Sequence, residues 1–272
     1  MVYEIVFSLV IYKNDKKQLL IAIDSLLNTE LYVKLFLIDN SPTDHLKELA
    51  NKPNIEYIHN PSNLGFGAAH NIAIQKAMQV GVKYHFIVNP DIYFEDNVIL
   101  SMIEYMKTDQ SIGMMMPKIL NSDGTEQNLP KLLPSPLSIL MRKVKKPTFI
   151  YQKFINFYEL RQVAKDSIYN APILSGCFTL LNLDAVKKVG MYDDSFFLYF
   201  EDWDLSRRMH YKYKTIYYPL VSVFHKYESG ANKSFKLFTI FIQSAFTYFN
   251  KWGWFFDKDR KQINRKALSQ FE

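Results

Sequence analysis

The sequence predicts an α/β fold with a mostly parallel central sheet and helices on both faces, and three observations lead there. Apolar runs of strand length alternate with helix-period segments through the first half of the chain. The polar turns Asp39-Asn40-Ser41-Pro42 and Asn89-Pro90-Asp91 each follow directly on such a run. Parallel sheets bind ligands beyond the carboxyl ends of their strands, which is where both turns fall. The length of 272 residues, 48% of them hydrophobic, supplies the core of one large domain.

Taken in order, residues 5–12 are a near-continuous apolar run, suited to a strand buried on both faces. Asn14 or Asp15 can cap a helix whose apolar positions, Leu19, Leu20, Ile23, Leu26 and Leu27, recur at helical spacing. Residues 33–38 form a second strand, a short helix starts near Thr43, and residues 55–58 form a third strand. Asn63-Leu64-Gly65-Phe66-Gly67 leads into a helix over 68–78, and residues 84–88 are the fourth strand. Strands joined through helices at this spacing imply right-handed parallel crossovers. Residues 117–170 break the pattern: Pro117, Pro130, Pro134, Pro136 and Pro147 stand among basic and aromatic residues without clear periodicity. They predict an irregular or partly helical flap on the substrate side. A strand returns over 173–182, a helix starts near Glu201, and 215–218 and 221–225 read as two short strands.

Residues 235–252 carry a helical pattern in which Phe235, Phe238, Phe241, Ile242, Ala245, Phe249 and Trp252 share one face. Lys236, Gln243, Thr247, Asn250 and Lys251 lie opposite. Packing on its own domain, interfacial membrane contact together with Trp254, Phe255 and the basic tail, and a homodimer contact are all open to such a helix.

Composition excludes several classes. A single cysteine, Cys177, rules out an internal disulfide and an all-cysteine metal site, and fits a reducing, cytoplasmic setting. No run of 18 apolar residues predicts a membrane span. The first 15 residues lack a basic leader and a cleavage signal, so they read as the first strand. The net charge of +6 gathers at residues 142–146 and 258–266. Solvated surface, anionic lipid and a phosphate-bearing substrate all fit those clusters. Neither lies in a nucleic-acid motif, so nucleic acid is not an expected partner.

Four stations can do chemistry. Asp39, with Asn40 beside it, can accept hydrogen bonds from a ribose or base edge, or simply build a turn. In Asn89-Pro90-Asp91, proline stiffens the turn and holds the Asp91 carboxylate where a hard cation such as Mg2+ or Mn2+ could share it with substrate phosphates. Its plainer use, capping the next helix, is better filled by Asp96. Glu201, Asp202 and Asp204 open a predicted helix, Glu201 and Asp204 on one face and Asp202 on another. The helix dipole should keep Asp202 ionised, making it a competent general base for a hydroxyl. His225 ends a short strand and is either structural or a completing metal ligand.

In sequence order these stations resemble the inverting family 2 glycosyltransferases of the GT-A fold, and most closely their bacterial rhamnosyltransferase-like branch. Leu37-Ile38-Asp39-Asn40-Ser41 looks like the family's nucleotide-contacting turn. Asn63-Leu64-Gly65-Phe66-Gly67 with Asn71 is similar to its glycine loop, and Asn89-Pro90-Asp91 to its Asp-x-Asp metal motif with Asn89 in place of the first aspartate. Gly176-Cys177-Phe178, residues 189–193 and residues 196–205 resemble its acceptor-side block. The resemblance implies a GT-A domain over 1–230, with a nucleotide-sugar half (1–116) and an acceptor half (117–230), followed by an amphipathic helix and basic tail (231–272). It implies a nucleoside-diphosphate sugar donor, dTDP-rhamnose first and UDP-sugars next, bound by Asp39, Asn40, Asn63, Gly65, Gly67, Asn71, Asn89 and Asp91. A divalent cation, Mn2+ or Mg2+, would sit on Asp91 and His225. Asp202 would be the base, Glu201 would orient it or bind acceptor, and Trp203 would offer an aromatic face to a sugar. The acceptor would be a glycan or lipid-linked glycan at the inner face of the cell membrane.

Two alternatives belong to other classes. A non-catalytic nucleotide-sugar-binding scaffold on the same fold would have no need of a positioned base. A sugar nucleotidyltransferase would carry a glycine-rich, arginine-containing loop after the first strand, where this chain has Tyr12-Lys13-Asn14-Asp15.

Overall fold

Two seven-residue, largely apolar runs without glycine or proline become β1 (Ile5–Ile11) and β2 (Val33–Asp39), paired in parallel from Ile5 against Val33 to Ile11 against Asp39. The structure, a computed structural model, describes residues 3–95, 97–226 and 234–272; Asp96 and the 230/231 junction expected between two parts of the chain lie outside these residues. β3 (Ile55–His59) joins β2, and β4 (Tyr84–Val88) joins the other side of β1, both in parallel. Every side chain of β4 is buried, as a strand covered on both faces requires.

Helices supply the crossovers. The Asp15 carboxylate accepts from the Gln18 amide and caps α1 (Lys16–Leu27), which buries Leu19, Ala22, Ile23 and Leu26. Leu20, expected on that face, is exposed. The segment after Thr43 makes only a single 3-10 turn, Lys47–Ala50, in place of the expected helix. α2 (Phe66–Gln79) begins inside the glycine loop, two residues earlier than its periodicity predicts.

The remaining elements are β5 (Ile92–Tyr93), α3 (Val98–Thr108), β6 (Ile112–Leu120), α4 (Pro136–Val144), α5 (Thr148–Tyr158), β7 (Tyr169–Asn170), β8 (Phe178–Asn182), α6 (Leu183–Val189), α7 (Glu201–Lys212), β9 (Lys214–His225), α8 (Phe235–Trp252) and α9 (Lys258–Leu268). The sheet order is β3-β2-β1-β4-β8-β6-β9-β5, with β7 paired to β9. β8 runs antiparallel to both β4 and β6 and joins two parallel groups, β3-β2-β1-β4 and β6-β9. With helices on both faces, the predicted α/β architecture holds.

Local differences have local causes. β9 is one twelve-residue strand through Pro219, not two short ones, and a register shift between Pro117 and Lys118 absorbs the irregularity. The strand expected over 173–182 covers only 178–182, because Ser175-Gly176-Cys177 leaves the ladder to reach the site. The proline-rich flap holds two helices. Ser135 and Ser138 form a capping box at α4, with Pro136 in the first turn where its missing N–H costs nothing.

α8 corrects the expected single apolar face. Ser244, Ala245, Tyr248 and Phe249 are its buried residues, while Phe235, Phe238, Ile242 and Phe246 are exposed. The helix is apolar on two sides, one packed and one open. Its packed side joins Leu133, Ile173, Phe196, Phe200 and Trp203 in a second core beside the main one. Arg207 of α7 clamps Asp257 through two 2.7 Å hydrogen bonds, both side chains buried, and so ties the chain after α8 to α7. No described helix is long and apolar enough to cross a membrane.

Candidate active site

β4 ends at Val88 and β9 at His225, which brings Asn89, Asp91 and His225 together from 136 residues apart in sequence. The His225 Nε2 lies 3.2 Å from Asp91 Oδ1 and 3.3 Å from Asn89 Nδ2. Its Nδ1 lies 3.1 Å from the Gln127 side-chain oxygen. When Nδ1 carries the proton and donates it to Gln127, Nε2 turns its lone pair toward Asp91, as a metal-ligating imidazole must. Two ligands each about 2.1 Å from one small cation, at right angles, stand about 3 Å apart. The Asp91–His225 pair therefore fits a divalent ion. Among the described residues no group of three or more His, Cys, Asp and Glu side chains forms a metal site. Burial pushes the His225 imidazole down, but Cys177 and Asp91 beside it push it up further, to about 10. A cation bound there would displace that proton.

The Glu201-Asp202 station is built from the turn before α7. Tyr199 and Phe200 adopt left-handed backbone, φ 70° and 67°, a conformation costing a non-glycine residue of order 1 kcal/mol or more. That turn starts α7 at Glu201, burying the Glu201 and Asp204 carboxylates and leaving Asp202 half-buried. Asp202 Oδ2 accepts from the Gly176 amide at 3.1 Å, and Oδ1 from its own neighbour's amide, Trp203, at 2.9 Å. Burial raises the Asp202 pKa, with the Gly176 amide and Lys131 pulling the other way. The dipole argument that keeps Asp202 fully ionised is thus outweighed by desolvation. Glu201 is raised further, by burial and by the Asp202 charge, and its Oε2 has no hydrogen-bond partner among the described residues. Asp204 is structural: it pairs with Arg208 and Lys251 and accepts from the Trp252 indole.

Trp203 is only 9% exposed. Its ring meets Phe200 edge-on, and Lys131 Nζ and the Arg142 guanidinium lie over it at 5.4 and 5.8 Å. Little of the aromatic face expected for a sugar is open.

The residues read as nucleotide contacts hold one another. Asp39 Oδ1 accepts from the Ser41 amide and Oδ2 from the Tyr57 hydroxyl, at 2.8 and 2.6 Å. Asn40 donates to the Gly65 carbonyl and to Asn63, whose side chain caps the Gly65 amide at 2.9 Å. Gly65 has φ +87°, and a Cβ there would stand 2.2 Å from the Phe197 carbonyl oxygen. At Gly67 a Cβ would meet the Tyr192 Cβ at 2.9 Å. Asn71 bonds the Tyr192 backbone at both N and O, and Asp194 besides. The glycine loop is thereby fastened to residues 192–197, the segment that leads to Asp202.

The glycosyl transferase family 2 model matches residues 9–190, two thirds of the chain. The chain belongs to glycosyl transferase family 2. It is 26% identical over 212 residues to the N-acetylglucosaminyl-diphospho-decaprenol L-rhamnosyltransferase of Mycobacterium tuberculosis, covering 73% of this chain and 68% of that one. It is 25% identical over 229 residues to rhamnosyltransferase WbbL of Escherichia coli, covering 80% and 82%. GalNAc-T7, solved with UDP, GalNAc and Mn2+, superposes with a TM-score of 0.61 at 15% identity, over 84% of this chain and 44% of that one. The family 2 chain is a glycosyltransferase of rhamnosyltransferase-like sequence and GT-A fold.

Sequence reasoning missed Gln127, Lys131 and Arg142. All three lie in the stretch without periodicity, and nothing local distinguishes Lys131 from the surface lysines around it.

Proposed function

We propose that this chain is an inverting rhamnosyltransferase. It would move rhamnose from dTDP-rhamnose, or failing that a sugar from a UDP-sugar, to a hydroxyl of a glycan or lipid-linked glycan. Its place would be the cytoplasmic face of the cell membrane, in surface polysaccharide synthesis. The observation that carries the reading is the pairing of two stations on one short segment. Gly176 holds the Asp202 carboxylate, while the Cys177 carbonyl accepts the Asn89 amide at 2.8 Å beside Asp91 and His225. The relatives' rhamnosyltransferase names support the sugar.

Asp91 and His225 would hold a divalent cation, which when bound offsets charge on the departing diphosphate. Asp202 takes the proton of the acceptor hydroxyl as its oxygen attacks the anomeric carbon from the face opposite the diphosphate. The anomeric C–O bond breaks with its electron pair leaving on the diphosphate, so no second carboxylate is required as acid. A base with a raised pKa is better matched to neutral pH than an ordinary carboxylate. Glu201, buried beside it, orients the turn. Asp39, Asn40, Asn63, Gly65, Gly67, Asn71 and Asn89 shape the donor cleft. Residues 1–116 form the donor half, 117–230 the acceptor half, and 231–272 an appended helical segment.

A thermal-shift screen with dTDP, UDP, GDP and CDP, each with and without Mn2+, tests the reading. A native-state ligand raises the melting temperature. Stabilisation by dTDP or UDP that requires Mn2+ is expected. No shift from any nucleotide on folded protein would favour the non-catalytic scaffold.

A further inference from the structure

The second, open side of α8 has a counterpart on α4. On α4, Leu137, Leu140 and Val144 are 64, 57 and 52% exposed, at spacings of three and four that place them on one helix face. On α8, Phe235, Phe238, Ile242 and Phe246 repeat the same spacing and are likewise exposed. The two helices meet: Lys143 Nζ stands 4.5 Å from the Phe241 ring centroid and 5.6 Å from that of Phe238. Two apolar stripes on touching helices exceed the scattered exposed residues that a soluble surface normally shows.

Charge says what fits them. Residues 127–158 contain no acidic residue and six basic ones, Lys131, Arg142, Lys143, Lys145, Lys146 and Lys153. Residues 234–256 contain no acidic residue either, and add Lys236 and Lys251. Lys131 is buried, and Arg142 and Lys251 pair with Glu159 and with Asp193 and Asp204, while Lys143, Lys145, Lys146, Lys153 and Lys236 are exposed. An apolar face with these cations around it suits an anionic lipid surface, where each juxtaposed basic side chain gains attraction and the aromatics enter the headgroup boundary. A second copy docked on this face would oppose like charge to like charge.

We propose that the outer faces of α4 and α8 together dock the protein on an anionic lipid leaflet. The inner sides of the same two helices reach the active site. Arg142 of α4 lies over Trp203, and Phe241 of α8 packs on Phe200 at 5.3 Å, one residue and two residues from Asp202. Docking through their outer faces would hold the Asp202 station about one helix diameter from the headgroup plane. The inference deepens the lipid-linked acceptor reading and rests on it for its purpose, though not for its test, which needs neither donor nor acceptor.

The full chain is sedimented with vesicles rich in phosphatidylglycerol and with vesicles of phosphatidylcholine alone. Wild type is expected to pellet with the anionic vesicles and much less with the neutral ones. Leu140→Glu with Ile242→Glu should lower the anionic-vesicle partition coefficient about tenfold or more, as should Lys145→Glu with Lys146→Glu. All four are surface positions, and an unchanged melting temperature confirms folding. Wild type left in the supernatant, or the Leu140/Ile242 variant pelleting like wild type, overturns the proposal. So does a concentration-dependent dimer in sedimentation velocity that the same variant abolishes. Transfer to a short water-soluble acceptor should stay within about twofold in both double variants. Vesicle binding without transfer to any lipid-linked acceptor would support docking and strike the acceptor reading instead.

Discussion

The Gly176 amide donates to the Asp202 carboxylate at 3.1 Å, and a side chain at residue 176 would press on the Asp202 Cβ at 3.2 Å and on the Phe66 ring at 3.3 Å. The glycine thus serves Asp202 twice, as a donor and as an absence of bulk. Gly176→Ala should displace Asp202 by a few tenths of an ångström and lower kcat about tenfold or more. Nucleotide affinity, read by thermal shift, should be nearly unchanged. Equal losses in kcat and nucleotide binding would mean that the whole segment had moved.

Removing the proposed base itself should be harsher. Asp202→Asn keeps the shape but takes no proton, so kcat should fall by roughly 10²-fold or more while the Mn2+-dependent shift with the donor nucleotide persists. Near-normal turnover would show that another group takes the proton.

Lys131 bears on the same carboxylate. Burial, then Arg142, pushes its ammonium down to about 8, so it is largely charged at neutral pH, and that charge holds the Asp202 pKa below where burial alone would leave it. In the proposed mechanism transfer requires ionised Asp202, so the rate should fall as pH drops through that pKa. Lys131→Met should therefore move the acid limb of the kcat profile to higher pH and leave the rate above it within about threefold. An acid limb that stays in place would separate Lys131 from the base.

The parts of this site that were legible in the sequence are those with their own local grammar. Asp39, Asp91 and His225 stand at strand ends, and strand ends can be read from where apolar runs stop. The helix start near Glu201 could be placed because carboxylates gather in a first helical turn. What could not be read depends on tertiary context. β6, with its central proline, and the flap helices carry no clean period, so Gln127 and Lys131 had no frame to be placed in. The two-sided character of α8 was hidden for a related reason: a stripe on a helical wheel tells that a side is apolar, not whether protein or something else covers it. Asp202 shows the same limit in energy terms, because the dipole follows from position in a helix whereas desolvation follows from what packs around it.

The metal reading makes a graded prediction. His225→Ala removes a ligand, and the Mn2+ concentration for half-maximal activity should rise at least about tenfold. Gln127→Ala leaves both ligands but frees the imidazole to turn, so it should raise the same concentration by a smaller factor. Chelation followed by dialysis should abolish transfer and Mn2+ should restore it. A cation titration unchanged in both variants would place the ion, if one is needed, elsewhere.

Stability should depend on pH through a different pair of histidines. Ser8 Oγ sits 2.7 Å from both His70 Nδ1 and His85 Nε2, all three residues fully buried. Their other ring nitrogens, His70 Nε2 and His85 Nδ1, have no hydrogen-bond partner among the described residues, so protonating either ring buries a charge with nothing to receive it. Burial lowers His85 to about 3, and burial together with the His85 charge lowers His70 well below the ordinary imidazole value. A depressed imidazole is neutral in the folded chain while the unfolded chain takes up protons below about pH 6.5, so stability is lost as pH falls from there toward 3. Each histidine contributes a slope of about 1.4 kcal/mol per pH unit across that window. Urea unfolding at pH 7.5, 6.5, 5.5 and 4.5 reads the slope directly. His85→Leu, close in volume and unable to titrate, should flatten it by about the share of one histidine even if it shifts the whole curve. A variant with the wild-type slope would assign the acid limb to the carboxylates, with the Arg207–Asp257 clamp the first to examine.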